Sequence, residues 1–181
     1  MIWFTADFHL SHTNIIKYCN RPFSNVAEMD DVILRNLKKS LSPGDVLYFL
    51  GDLTFKKDVA RDFFESFSTI EIHYIMGNHD TAAIEQIARE YCKSVDYIKD
   101  IKIQGQRITL CHYAMRVWNR SHFNSWQLYG HSHARLEPVG KQHDVGVDNC
   151  NFFPISFGEI ANLMIQKPNN FNYIEPKNRN P

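Results

Sequence analysis

Five short clusters of histidine, aspartate and asparagine have the side chains of a metal centre. They are Asp7-Phe8-His9, Gly51-Asp52, Gly77-Asn78-His79-Asp80, His112 and Gly130-His131-Ser132-His133. Carboxylate and carboxamide oxygens with imidazole nitrogens, without thiolates, suit manganese, iron or zinc in a catalytic site better than a structural cysteine zinc site. Two aspartates, one asparagine and four of the histidines exceed the needs of one tetrahedral ion, and two cations that share a carboxylate would use them well.

Two of these clusters are much rarer by chance than the others. In a chain of this composition Gly-His-x-His is expected about 0.02 times and Gly-Asn-His-Asp about 0.002 times, whereas Asp-x-His is expected about 0.6 times. Gly-Asp is also common by chance, and a second copy, Gly44-Asp45, precedes a strand in a turn sequence. The prediction therefore depends on the two rare motifs and on where all five clusters lie.

Each cluster lies at the carboxyl end of an apolar run that is typical of a β-strand. The runs are MIWFTA (1–6), VLYFL (46–50), EIHYIM (71–76), RITLC (107–111) and WQLYG (126–130). In open α/β sheets, ligands bind outside the carboxyl ends of the strands, so we expect the clusters to meet at one edge. Asp7 and His9, one residue apart, can turn toward one cation, and His131 and His133 repeat that spacing.

Amphipathic segments between the strands predict helices. One helix begins after the N-cap Asn25, others cover about 57–67 and 81–92, and a late helix begins at Ser156, which forms a capping box with Glu159. An antiparallel hairpin is expected around the Gly105-Gln106 turn. This order predicts a mixed α/β sandwich that is parallel in its first half and antiparallel in its second.

The composition favours one hydrophobic core. The chain has 181 residues, of which 44% are apolar and 13% aromatic, and its 20 basic residues balance 20 acidic ones. A zero net charge argues against a broad basic surface that holds extended nucleic acid or an anionic membrane. We expect a single domain over 1–165 and a poorly ordered tail over 166–181, where Asn, Pro and Lys recur.

The sequence predicts a cytoplasmic protein. The N-terminal apolar run ends at Asp7 without a basic lead-in, and no apolar stretch approaches the roughly 18 residues of a spanning helix. The four cysteines are widely spaced and form no C-x-x-C pair. Cys111 stands beside His112, and we interpret it as a buried strand thiol.

The five clusters match, in order, the signature of the calcineurin-like metallophosphoesterases: D-x-H, G-D, G-N-H-D, H and G-H-x-H. The similarity runs from Asp7 to His133, and the stretches FTADFHLSHTNIIKYCNRPF, CHYAMRVWN and LYGHSHARL resemble the small bacterial and phage phosphohydrolase branch. The resemblance implies a double-layered β-sandwich flanked by helices, with a two-metal centre at the edge of the sheets.

The resemblance also implies a ligand set for two divalent metals. Asp7, His9 and His133 would bind one ion, Asp52 would bridge, and Asn78, His112 and His131 would bind the other. Manganese is the expected metal, with iron or zinc as alternatives.

By the same resemblance, His79 would be the histidine that stabilises or protonates the leaving oxygen, and Asp80 would orient it. Two cations about 3.5–4 Å apart lower the pKa of a bridging water, and the resulting hydroxide attacks phosphorus in line. His79 would then offset the charge on the departing alkoxide.

Residues outside the signature leave alternatives open. His12 and Asn14 either touch substrate or bond to their own loop. Arg21, Arg116 and Arg120 are candidates for a phosphate clamp, or are solvated or ion-paired surface groups. Tryptophans 118 and 126 could stack on a base, although core packing is the better interpretation. His73, His122 and His143 are interpreted as structural.

Two departures from the family pattern matter. Leu53-Thr54-Phe55 stand where many members carry Asp or Arg, so the support for Asp52 is open. Only residues 113–129 separate His112 from Gly130, which leaves no room for a cap domain and predicts a shallow, open site.

The leading hypothesis is a metal-dependent phosphoesterase that acts on phosphodiesters or nucleotide-like phosphates. The alternatives are a phosphomonoesterase with a single metal, and a non-catalytic interaction module that retains a degenerate metal site. The module is disfavoured because every ligand position and His79 are filled.

Overall fold

A computed structural model describes residues 1–175, which form two β-sheets packed against each other. The first sheet has the strand order β4-β3-β2-β1-β9. Its strands are β1 (Ile2–Thr5), β2 (Val46–Phe49), β3 (Glu71–Ile75), β4 (Ser94–Asp96) and β9 (Ile155–Ser156). Strands β1 to β4 are parallel, and β9 pairs antiparallel with β1.

The connections within this sheet are helical. The helices are α1 (Thr13–Tyr18), α2 (Val26–Ser40), α3 (Lys57–Ser66) and α4 (Ala82–Tyr91), and α5 (Phe157–Gln166) follows β9. The predicted N-cap of α2 is confirmed, because the Asn25 side chain accepts a hydrogen bond from the Glu28 backbone. The capping box of Ser156 and Glu159 is also present at α5.

The second sheet has the order β5-β6-β7-β8. Its strands are β5 (Ile98–Ile103), β6 (Gln106–Cys111), β7 (Trp126–Tyr129) and β8 (Gln142–Asp144). Only β5 and β6 are antiparallel, as the Gly105 turn predicts. The prediction of an antiparallel second half is otherwise wrong, because β6, β7 and β8 run parallel. The connections 112–125 and 130–141 are long enough to return the chain to the starting end of the sheet.

Alternation along the strands produces a hydrophobic core on each face of the first sheet. On one face Phe4, Tyr48 and Leu50 pack with Ile108 and Leu128 of the second sheet. The other face packs against α2, α3 and α4 through residues that include Trp3, Leu47, Phe49, Ile33 and Phe63. The α/β double-layered sandwich with flanking helices is therefore confirmed.

Part of the segment expected to be a poorly ordered tail packs on the domain. Asn170 is 3% exposed, and its side chain donates to the carbonyls of Ser121 and Ser125 and accepts from the Lys141 backbone. Residues 176–181 of the expected tail lie outside the described residues. Over 1–175, no helix is both long and apolar enough to cross a membrane.

Candidate metal centre

The loops that follow β1 and β2 are joined through their backbones, which brings the first two polar clusters together. The Asp7 N–H donates to Gly51 O at 3.0 Å, and the His9 N–H donates to Asp52 O at 2.9 Å. Leu10 then forms an isolated parallel bridge with Thr54. The two loops therefore act as one short extension of the sheet beyond its carboxyl edge.

Five of the expected ligands have left-handed backbone conformations. Their φ angles are 61° for Asp7, 52° for His9, 62° for Asp52, 66° for His131 and 47° for His133. A side chain in this region costs roughly 1–2 kcal/mol, and such strain collects at functional sites. These left-handed turns direct the side chains toward the candidate centre, just beyond the carboxyl ends of the strands.

The structure brings all seven expected ligands into two adjoining groups. Ligand atoms lie within 4.8 Å of one another in the group Asp7, His9 and His133, and also in the group Asp52, His112 and His131. Asn78 joins the second group, because its Oδ1 lies 3.1 Å from His112 Nε2. Asp52 stands between the groups, with Oδ2 3.6 Å from His9 Nε2 and 3.4 Å from His112 Nε2.

Buried polar atoms at this junction fit a bound cation. His9 Nε2 and Asp52 Oδ2 are buried and have no hydrogen-bond partner among the described residues. The Nδ1 of His112 lies 2.6 Å from the Leu50 carbonyl, to which it must donate. In a neutral His112 the lone pair of Nε2 then faces the oxygens of Asn78 and Asp52. Several lone-pair atoms therefore converge with no N–H or O–H group between them. A divalent metal requires such a set of atoms as its ligands.

Without a metal, protons compensate for this convergence. Burial raises the pKa of Asp7 to about 7 and lowers the pKa of His9 to about 3. Burial would raise the pKa of Asp52, but the nearby His112 imidazole, whose Nε2 lies 3.4 Å from Asp52 Oδ2, lowers it to about 2. Burial would likewise lower the pKa of His112, and Asp52 raises it to about 8. The Asp52 and His112 pair therefore holds a proton that a metal would displace.

Glycines allow the carboxylates to lie directly against the backbone. A Cβ on Gly77 would stand 2.2 Å from Asp52 Oδ1, and a Cβ on Gly146 would stand 2.5 Å from Asp7 Oδ2. The Asp7 carboxylate also accepts the His131 N–H at 2.9 and 3.1 Å. The carboxylates are thus fixed before any ligand binds.

Asp148 and Arg21 support the first ligand group from behind. Asp148 Oδ2 lies 2.7 Å from His133 Nδ1, and the carboxylate forms a two-bond ion pair with Arg21. Arg21 also donates to the carbonyls of Asp7 and Phe8 and to the sulfur of Met29. Burial would lower the pKa of His133, but the bond to Asp148 raises it to about 10.

These contacts correct the prediction that Arg21 binds substrate. Its side chain is buried and its five N–H groups are all donated within the protein. Arg116 is exposed, but its guanidinium lies 4.2 Å from the ring centre of Phe171. His12 lies near the centre, with its ring 5.7 Å from that of His9. Burial lowers the pKa of His12.

His79 and Asp80 have separate roles. The exposed His79 ring is 5.3 Å from the His9 ring, and its backbone N–H donates to Asp52 Oδ1 at 2.9 Å. Asp80 accepts hydrogen bonds from the backbones of Asp52, Leu53 and Gly77 and from the Tyr74 hydroxyl. Asp80 therefore fixes the loop that carries Asp52, whereas the family resemblance implies that it orients His79.

Other residues beside the centre were not predicted. Asp144 is the last residue of β8 and Asp148 follows Val145-Gly146-Val147, but a single aspartate at the end of a strand is too common to indicate a role. Phe55 and Tyr113 have exposed rings that contact rings of the centre. Trp118 is buried and donates to the Ser125 carbonyl at 3.1 Å, which agrees with a packing role.

Comparisons with known proteins give similarities over nearly the whole chain. A family model described as calcineurin-like phosphoesterase matches residues 1–173. The uncharacterized protein MJ1445 of Methanocaldococcus jannaschii is 33% identical over 172 residues, 90% of each chain. The solved protein of unknown function AQ665 from Aquifex aeolicus is 26% identical, with a TM-score of 0.70 over 90% of this chain and 98% of that one. Pseudomonas putida nuclease MPE is 19% identical, with a TM-score of 0.44 over 73% of this chain and 61% of that one.

Proposed function

This chain belongs to the calcineurin-like phosphoesterase family and is a metal-dependent hydrolase of phosphoric ester bonds, and we propose that it cleaves phosphodiesters at a centre for two metal ions. The observation that carries the proposal is the position of Asp52. Its buried Oδ2 has no hydrogen-bond partner among the described residues and lies between His9 and His112, which belong to different ligand groups. A carboxylate so placed can serve both groups.

Seven side chains would hold the metals: Asp7, His9 and His133 for one ion, Asn78, His112 and His131 for the other, and Asp52 for both. Bound divalent ions of this type, with manganese as the expected metal, activate a water for attack on phosphorus and neutralise charge on the phosphoryl oxygens. The residues keep that site rigid, since Asp80 fixes the Asp52 loop and Asp148 fixes His133.

His79 is the residue proposed to act on the leaving group. Its ring is exposed beside His9, while its backbone is tied to Asp52. In this position the imidazole can donate a proton to the departing oxygen, or stabilise the negative charge that develops there.

The placement of the candidate clamp arginines favours a diester substrate over a monoester substrate. A phosphomonoester carries about one more negative charge at neutral pH than a diester does. Arg21 is fully engaged with Asp148 and backbone carbonyls, and Arg116 lies on Phe171. Arg120, the third guanidinium that the sequence suggested as a clamp, lies 5.9 Å from the ring centre of Phe123. All three guanidiniums lie against other groups of the protein, which leaves them poorly placed to compensate the additional charge.

The test is hydrolysis of bis-p-nitrophenyl phosphate compared with p-nitrophenyl phosphate, with manganese, for wild type, His79→Ala and the control His122→Ala. We expect faster diester hydrolysis, two metal ions per chain, and a His79→Ala variant that retains metal and loses most of its rate. The control should keep the wild-type rate. Faster monoester hydrolysis with one tightly bound metal would instead support a single-metal phosphomonoesterase. Metal binding without hydrolysis of either compound would support the interaction module.

A further inference from the structure

Two exposed aromatic rings border the candidate centre, one beside each ligand group. The Phe55 ring centre is 5.0 Å from that of His79, 5.0 Å from that of His12 and 6.5 Å from that of His9. The Tyr113 ring centre is 4.8 Å from that of His131 and 5.2 Å from that of His112. Phe55 is 42% exposed and Tyr113 is 46% exposed, so each ring contributes apolar area to the entrance of the site.

The backbone that carries Phe55 is braced. The buried Thr54 donates its hydroxyl to the Leu10 carbonyl at 2.8 Å and accepts the Lys56 N–H at 3.1 Å. Hydrogen bonds therefore hold the chain on both sides of the ring. This is the position where the departure from the family pattern left the role of Leu53-Thr54-Phe55 open.

The backbone that carries Tyr113 is braced as well. Its carbonyl accepts from the side chain of Gln127 at 2.9 Å, and the Oε1 of Gln127 accepts the Met115 N–H at 3.1 Å. Gln127 is fully buried and is itself bonded to Gln142. A ring that is exposed yet held on fixed backbone loses little entropy when a flat group packs against it.

We propose that Phe55 and Tyr113 are stacking surfaces for the two groups esterified to the scissile phosphate, and that the preferred substrate is a diester between nucleosides. This inference rests on the proposed function, because a phosphodiester at the metals brings a substituent toward each ring. Nucleobases are the flat aromatic groups that diesters between nucleosides carry, and they stack on aromatic side chains whatever the base sequence. Since Arg21, Arg116 and Arg120 lie against other groups of the protein, recognition at the centre depends on the rings and the metals, which suits a short diester better than a long polyanion.

The experiment compares thymidylyl-(3′→5′)-thymidine with the same sugar–phosphate diester without bases, using manganese. We expect kcat/KM to favour the dinucleotide by about 5- to 150-fold for each stacked base. Phe55→Ala and Tyr113→Ala should each reduce this preference, mainly through KM, and Tyr113→Phe should restore it. The control is Phe153→Ala, which removes an exposed ring on the loop before β9 and should keep the preference.

Equal hydrolysis of the two diesters by wild type, or an unchanged preference in both alanine variants, would overturn the stacking inference and leave the proposed function intact. No hydrolysis of either diester by a protein that still cleaves bis-p-nitrophenyl phosphate would also overturn the stacking inference. No hydrolysis of these diesters or of bis-p-nitrophenyl phosphate would overturn the proposed function. In that case binding of the intact dinucleotide decides the stacking inference. Weaker binding to Phe55→Ala and Tyr113→Ala than to wild type supports it, and equal binding overturns it.

Discussion

Asp148 illustrates how one side chain can hold an expected metal ligand, His133, in place. It bonds His133 Nδ1 and forms the two-bond ion pair with Arg21, which in turn holds the carbonyl of Asp7. A partner of this kind fixes the tautomer of the histidine, so that Nε2 is presented to the cation. We therefore expect Asp148 to set the geometry of the first ligand group.

Replacement of Asp148 by Asn should weaken metal binding, because the neutral side chain cannot pair with both Arg21 and His133. We expect the Mn²⁺ affinity of the ligand group that contains His133 to fall by about 10- to 100-fold. Titration calorimetry on the folded variant measures this change. The matched control is Asp31→Asn, an exposed exchange on α2. An unchanged manganese affinity in Asp148→Asn would assign Asp148 a purely structural role.

His143 on β8 should make the free energy of unfolding depend on pH, independently of the candidate metal centre. Burial lowers its pKa to about 4, aided by Lys167 and opposed by Asp144. The unfolded side chain has a pKa of about 6.5, so the unfolded state binds more protons between these values. The contribution of His143 to stability is present above about pH 6.5 and is lost as the pH falls toward 4.

The size of this effect is about 3 kcal/mol over the full window. Urea unfolding at a series of pH values should show a shallower loss of stability in His143→Gln than in wild type. Parallel curves for His143→Gln and wild type would disprove the prediction.

Among single residues, the sequence indicates the side chains that meet at the candidate centre better than the groups that support them. Asp7, His9, His131 and His133 are recognisable because their types and spacing are local. The partner of Arg21 lies 127 residues away, and nothing local indicates that the guanidinium is buried. The contacts of Asp80 could not be predicted for a related reason, because the groups that it binds come from the preceding strand and from the loop after β2.

At the scale of elements, periodicity predicts the strands and helices of the first half well. The bounds of α2, α3 and α4 agree with the amphipathic segments, and the side-chain N-caps of α2 and α4 are local interactions. The direction of β7 and β8 was missed because a strand reads the same in either direction. What decides it is the connection before the strand, and residues 112–125 contain little regular structure to indicate a crossover.

The loop between β3 and α4 should be intolerant of even one methyl group. The Cβ of Gly77→Ala would lie 2.2 Å from Asp52 Oδ1 and 2.7 Å from Asp52 N, so the carboxylate must move. We expect at least a tenfold loss in kcat/KM with helix content retained in circular dichroism. Gly158→Ala in α5 is the matched control, because its Cβ would lie at an ordinary contact distance of 3.9 Å from Ser156 Oγ. Wild-type activity in Gly77→Ala would show that the loop can relax without displacing Asp52.

At the scale of the whole molecule, the centre joins the two sheets. Asp7, Asp52 and Asn78 follow strands of the first sheet, whereas His112 and His131 follow strands of the second. Each ligand group therefore includes side chains from both sheets. A cation bound to either group connects the two layers at their carboxyl edge, in addition to the hydrophobic core between them.

Removal of metal should consequently lower the stability of the entire domain. A cation at a concentration 100 times its Kd stabilises the folded state by about 2.7 kcal/mol. For a domain of this size that corresponds to a rise in Tm of roughly 5–10 °C. Thermal unfolding of protein treated with EDTA, before and after addition of Mn²⁺, measures the rise. Asp52→Asn should show a much smaller rise, because the carboxylate between the two groups is neutralised. An equal rise in Asp52→Asn and wild type would place the stabilising cation elsewhere and would separate metal binding from the junction of the two sheets.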